Sequence, residues 1–239
     1  YMAIIELELK VPQKLEAIKL RQYQEYLKIQ KDNEDVEDNG NFLNSKCIQI
    51  FCGLTLKESY NLPVTMFDGV LSQIGKCFEE PTPLIKEFSM TGSNGVEVSF
   101  GMIPSLDEMT FGEYVDLESF MSDWDSMHKA MAVLYRPIKY NNNGKYLIED
   151  YDGTDRYWEV MKDAPVNVAL GAMVFFYRLG KKLCKYTMDY LLLQQNQKEA
   201  LTQEKALERN GDGINQFMLS LEKTYQELVK SQKFHYTSV

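Results

Sequence analysis

The window from Ala164 to Leu179 is the most apolar in the chain, and it constrains the fold more than any other segment. A helix that crosses a bilayer needs about 20 apolar residues. This window is shorter and contains Pro165, Asn167 and Arg178. It therefore reads as a core helix, apolar on nearly all sides, with a proline placed at its first turn.

The chain has 239 residues, enough for one large domain or two small ones with a real core. Apolar residues make up 44% and charged residues 26%, values that exclude wholesale disorder. The net charge of −9 disfavours DNA and anionic membrane surfaces, so nucleic-acid binding is not expected, and the short apolar window leaves no membrane span expected either. The basic cluster Arg178, Lys181, Lys182 and Lys185 reads as a solvated helix end, where cations suit the dipole. Cys47, Cys52, Cys77 and Cys184 form no C-x-x-C pair, and two histidines do not complete a zinc site of the usual spacing. Cys47, Cys52 and Cys184 sit among apolar residues and read as buried, reduced thiols of a protein made inside the cell. The opening YMAIIELELK has charges inside its apolar run and no basic flank, so no signal peptide is expected there.

Local patterns outline the elements. Ile4 to Val11 alternates and reads as a short strand. Lys14 to Gln30 has apolar residues at roughly helical spacing, Lys31 to Asn41 is an acidic loop, and Phe42 to Cys52 is a second helix. Thr55 and Glu58 fit a capping box before a short helix that Pro63 ends. Val64 to Phe78 is an amphipathic helix stopped by Pro81 and Pro83. Leu84 to Ile103 reads as a hairpin turning at Ser93 to Gly95. Ser105 with Glu108, and Thr110 with Glu113, are two further capping boxes, the second opening a helix with Tyr114, Val115 and Leu117. Asp123 is a cap for a helix to about Tyr135, before Pro137. Asn141 to Gly144 marks a second hairpin, between residues 138–140 and 146–148, and a short helix covers Thr154 to Met161.

After Leu193 the chain becomes polar, and Gly211-Asp212-Gly213 breaks any continuous coiled coil. Ile214, Phe217, Met218, Leu221, Tyr225 and Leu228 form a clean amphipathic stripe and are the expected partner-binding residues. The expected fold is α+β, mainly α-helical, with one or two small β-hairpins. It comprises a compact domain over residues 1–190 and a C-terminal helical extension over 191–239.

No pattern in the chain assembles an active site. Asp123, Asp125 and His128 are the one carboxylate–histidine cluster. They could serve a metal-dependent hydrolase, but an acid-rich helix start with one hydrogen-bonded histidine explains them as well. Glu208 to Gly213 misses the calcium-loop pattern at its first position, and Leu219 stands where a bidentate glutamate is required. Glu149, Asp150, Asp152 and Asp155 miss it too, and read as a turn and helix cap. Paired carboxylates for glycoside cleavage remain open, but nothing selects two of the many acids. Neither cofactor nor metal is expected. Fifteen tyrosines and twelve methionines suit adaptable protein–protein surfaces as well as a core.

The stretch FGEYVDLESFMSDWDSMHKAMAVLYRPI crowds aromatic, methionine and carboxylate residues together without a nucleophile–base pair. With VPQKLEAIKLRQYQEYLKI, CGLTLKESYNLPVTMFDGVLSQI, IPSLDEMTFGEYVDLESF and the Ala164–Gly180 helix, it resembles tailed-bacteriophage structural and tail-assembly proteins of the baseplate-hub or tail-chaperone kind. The resemblance covers roughly residues 3 to 185 and rests on composition. It implies a non-enzymatic virion or tail-assembly protein, in the virion or in the host cytoplasm during assembly. Its partners would be other phage structural proteins, or copies of itself in a ring. A transient tail-assembly chaperone is the alternative within this class. The polar extension after Leu193 departs from the pattern and leaves open whether the protein stays in the particle.

Overall fold

The structure, a computed structural model, describes residues 9–36, 39–91, 95–195 and 223, and its side chains up to residue 182 except residue 180. Eight α-helices and one four-stranded antiparallel sheet form the described fold: α1 (Leu20–Asp32), α2 (Gly40–Cys52), α3 (Leu56–Tyr60), α4 (Val64–Glu79), β1 (Glu87–Thr91), β2 (Glu97–Met102), α5 (Phe111–Met121), α6 (Met127–Leu134), β3 (Tyr135–Asn142), β4 (Lys145–Ile148), α7 (Trp158–Met161) and α8 (Val166–Gln195). The class is mainly helical α+β, as the sequence implies. The Ile4–Val11 strand falls largely outside the described residues, as does the 214–228 stripe apart from the helical Lys223.

The first half of α8 is the centre of the core. Val166, Val168, Ala169, Leu170, Ala172 and Met173 are essentially inaccessible. Gly171 makes this possible on one side, because a Cβ there would lie 2.3 Å from the carbonyl oxygen of Pro83. The segment leading out of α4 thus crosses α8 backbone to backbone. The basic cluster expected at a helix end instead lies within α8, which runs on to Gln195. Arg178, Lys181 and Lys182 are exposed there, so solvation, not the C-terminal dipole, accounts for them.

The helix expected over Lys14–Gln30 is two pieces. A 3-10 turn covers Leu15–Ala17, Ile18 and Lys19 are extended, and α1 starts at Leu20. The break comes from a partner far along the chain: Lys19 bridges Pro165, Val166 N–H donates to Ile18 O at 2.8 Å, and Leu20 N–H donates to Ala164 O at 2.9 Å. These two backbone hydrogen bonds, which the local sequence does not specify, override helical spacing. Tyr23 of α1 then stacks on Phe78 and meets Trp124 edge to face, tying α1 to α4 and to the 3-10 turn Trp124–Ser126 that leads into α6.

Both hairpins are present, and they join into one sheet of order β1-β2-β3-β4. The join is the pairing of Phe100 with Pro137, Gly101 with Arg136 and Met102 with Tyr135. A strand therefore begins directly where α6 ends, with Pro137 inside it. Pro137 accepts from Glu149 N–H at 3.0 Å, beyond the end of β4. The reciprocal bond from position 137 is the one a proline cannot make, and it falls just past the end of β4, where the ladder stops. Asn143 and Gly144, with φ of 52° and 81°, make the tight β3–β4 turn. The helix expected over Thr154–Met161 is only its last turn, Trp158–Met161.

Candidate functional site

Helix α5 carries the clearest feature. Thr110 is its N-cap: its hydroxyl accepts from Glu113 N–H at 3.3 Å, and Glu113 Oε2 accepts from Thr110 N–H at 2.7 Å and from its hydroxyl at 2.8 Å. The capping box is complete. The similar pattern at Ser105 and Glu108 forms no side-chain cap, because the segment is a single 3-10 turn, Leu106–Glu108, and Met109 is already extended. The Thr55–Glu58 box forms on α3.

Glu113, Leu117 and Met121 recur every fourth residue and are the buried side of α5. Three large apolar residues away from this side are exposed. Phe111 is 82% exposed, Tyr114 40% and Val115 42%. Tyr114 and Val115, grouped with Leu117 in the sequence reading, thus do not share its burial. What fixes the helix rotation is Glu113. Its Oε1 accepts from Arg136 Nη1 of β3, with both side chains over nine-tenths buried. Arg136 also lies over the Tyr151 ring, whose hydroxyl donates to Asp116 on the same helix. Burial alone would raise the Glu113 carboxyl, but the Thr110 N–H, the Arg136 guanidinium and the Thr110 hydroxyl together hold it below the usual carboxylate range. The result is a rigidly mounted helix with an aromatic and aliphatic face turned to solvent. A second exposed apolar run, Leu56, Tyr60, Val64 and Met66, lies on α3 and the start of α4.

In the fold Asp123 and His128 have partners of their own. Asp123 accepts from Asp125 N–H at 3.3 Å and caps the 3-10 turn that precedes α6, while Asp125 is exposed. His128 is buried on α6. Its Nδ1 lies 3.1 Å from Gln24 Nε2, which also donates to Trp124 O at 2.6 Å, and its ring packs on Trp158. Burial, followed by the nearby Lys162 and Lys129, lowers its pKa to about 4. Gln24 Nε2 also donates to Asp125 O at 3.2 Å. Among the described residues no group of three or more His, Cys, Asp or Glu side chains is placed to hold a metal ion. Glu149 instead takes Arg156 at 3.0 Å and the Tyr157 hydroxyl at 2.5 Å, and Asp150 takes Lys139 at 3.2 Å.

The cysteine reading extends further than expected: Cys77 is buried along with Cys47 and Cys52, all as free thiols, and the Cys184 side chain lies outside the described residues. Methionines divide between core (Met121, Met127, Met131, Met161, Met173) and surface (Met66). The expected partner-binding residues Ile214, Phe217, Met218, Leu221, Tyr225 and Leu228 lie outside the described residues. Among the described residues no helix is long and apolar enough to cross a membrane. Neither a protein-family model, nor a curated protein, nor a solved structure matches the chain.

Proposed function

We propose that this chain is a non-enzymatic bacteriophage virion or tail-assembly protein that works by protein–protein contacts. The observation that supports the reading most is the outward face of Phe111, Tyr114 and Val115 on a helix locked by buried contacts. Large apolar side chains grouped on one surface lose free energy to water, and aromatic residues held rigidly are the usual anchors of interfaces. This face belongs to the FGEYVDLESF segment that carries the resemblance to phage proteins, and the exposed run on α3 and α4 belongs to CGLTLKESYNLPVTMF. The partner is another structural subunit of the particle, or a second copy in a ring, with the 214–228 stripe as a further contact.

Mass spectrometry of purified virions tests the reading. A structural component appears at fixed copy number. A transient chaperone is absent from the particle but co-purifies with tail intermediates. Phe111→Ser with Val115→Ser should abolish incorporation while the monomer keeps its thermal midpoint. Absence from both virions and intermediates would reject the proposal. Stoichiometric zinc or manganese in the purified protein, lost on His128→Ala, would instead favour a metal-dependent hydrolase built on Asp123, Asp125 and His128.

A further inference from the structure

The β3–β4 hairpin curls over the outer face of β1–β2 and is latched there. Tyr146 donates to Met102 O at 2.8 Å and to Lys86 O at 3.3 Å. Its ring passes directly over Gly101, where a Cβ would lie 2.5 Å from Tyr146 Cε2. Asn141 Nδ2 donates to Glu87 Oε2 at 2.9 Å. A bulge between Ile138 and Tyr140 sets the bend. Despite three latches the hairpin does not close on the sheet. An open cleft of about 350 Å³ remains, lined by Glu87, Phe88, Ser89 and Ser99 on one side and by residues 138–141 on the other. That volume falls within the range of about 300–1,000 Å³ found for small-ligand sites.

We infer that this cleft binds a neutral polyhydroxylated ligand, one ring of a sugar. The hydrogen-bonding inventory carries the inference. Glu87 keeps one carboxylate oxygen beyond its bond to Asn141. Asn141 keeps its amide oxygen and one N–H. The Ser89 and Ser99 hydroxyls, 2.9 Å apart, can each donate and accept. The cleft thus presents both donors and acceptors, which suits hydroxyl groups that do both. An anion would meet the Glu87 carboxylate, and the one cation lining the cleft, Lys139, is bonded to Asp150 at 3.2 Å. A hard cation would find a single carboxylate, too few for a calcium site. A wholly apolar ligand would strip water from these polar groups without replacing it. Ile138 and Tyr140 give the C–H face of a ring apolar surface to rest on.

The inference is independent of the assembly role proposed above and is tested separately. Saturation-transfer NMR on the full chain would use methyl α-glucoside, methyl α-galactoside and N-acetylglucosamine at millimolar concentration, with tetramethylammonium and propionate as charged probes. Transfer to the ring protons of at least one sugar is expected. It should fall at least fivefold in Glu87→Gln and in Ser99→Ala and persist in Lys57→Gln, a change on the remote α3. Should Glu87→Gln lower the thermal midpoint, Ser99→Ala and Ser89→Ala carry the test. No transfer from any sugar, transfer undiminished in the cleft variants, or transfer from a charged probe alone would overturn the inference.

Discussion

Arg136 Nη1 meets Glu113 Oε1 at 2.5 Å, with the two side chains 8% and 5% exposed. This pair fixes α5 against β3 across the part of the molecule where two otherwise local structures, a capped helix and a strand, have to be registered. Arg136 Nε is buried without a hydrogen-bond partner among the described residues, so the guanidinium depends heavily on Glu113. Removing one member of a buried pair leaves the other charge uncompensated. Glu113→Gln or Arg136→Met should each cost about 3–5 kcal/mol in urea unfolding. The double variant should recover a substantial part of that loss. Additive losses would show that the two side chains are not coupled.

Gly171 is needed for space. A methyl group at that position would have to displace the Pro83 carbonyl, which is backbone and cannot rotate away. Gly171→Ala should therefore destabilise by about 1–3 kcal/mol or more, although alanine is the better helix former by about 1 kcal/mol. A rise in thermal midpoint would mean the 81–86 segment yields freely.

His128 should make stability depend on pH in mildly acidic solution. Its folded pKa of about 4 lies below the unfolded value of about 6.5. Between these values the unfolded chain binds a proton that the folded chain refuses. Stability is thus full above about pH 6.5 and falls as pH drops towards 4, with a limiting slope of about 1.4 kcal/mol per pH unit. Glu113, held below its ordinary value, adds to the loss only in more acid solution, below about pH 4.3. Denaturant midpoints measured from pH 7 to pH 5 should show the slope in the wild type and a flatter one in His128→Gln.

The buried thiols should be unreactive while the chain is folded. Burial pushes Cys52 up to about 11 and raises Cys47 and Cys77 as well, and the thiolate is the reactive form. In a Cys184→Ser variant at pH 8, a thiol reagent should label none of the three quickly, and all three in urea. Rapid labelling of Cys47 in the folded protein would contradict its complete burial in α2.

Features whose causes lie within a few residues are legible in the chain. The capping boxes at Thr55 and Thr110, the turn at Asn143 and Gly144, and the all-apolar helix from Val166 are of this kind. The α5 face is half legible. Its sequence offers apolar residues on more than one side, Leu117 and Met121 on one and Phe111, Tyr114 and Val115 on another, and periodicity alone cannot say which is buried. The spacing of Glu113, Leu117 and Met121 by fours was the available clue, and an acid on the inner side concealed it. The cleft at Glu87 and Asn141 left no trace, since those residues are 54 apart.

The sequence by itself thus determined the class of the fold, the capped helix starts at Thr55 and Thr110, its tight turns and the identity of its central helix, because short-range hydrogen bonds and hydrophobic spacing act among neighbours. Only the tertiary structure decided that Ile18 and Lys19 leave the helix to bridge Pro165, that two hairpins become one sheet through Phe100 and Pro137, and that Arg136 selects Glu113. Each of these rests on groups brought together from distant parts of the chain. Their energies exist only once the chain has closed around α8, so no local pattern could carry them.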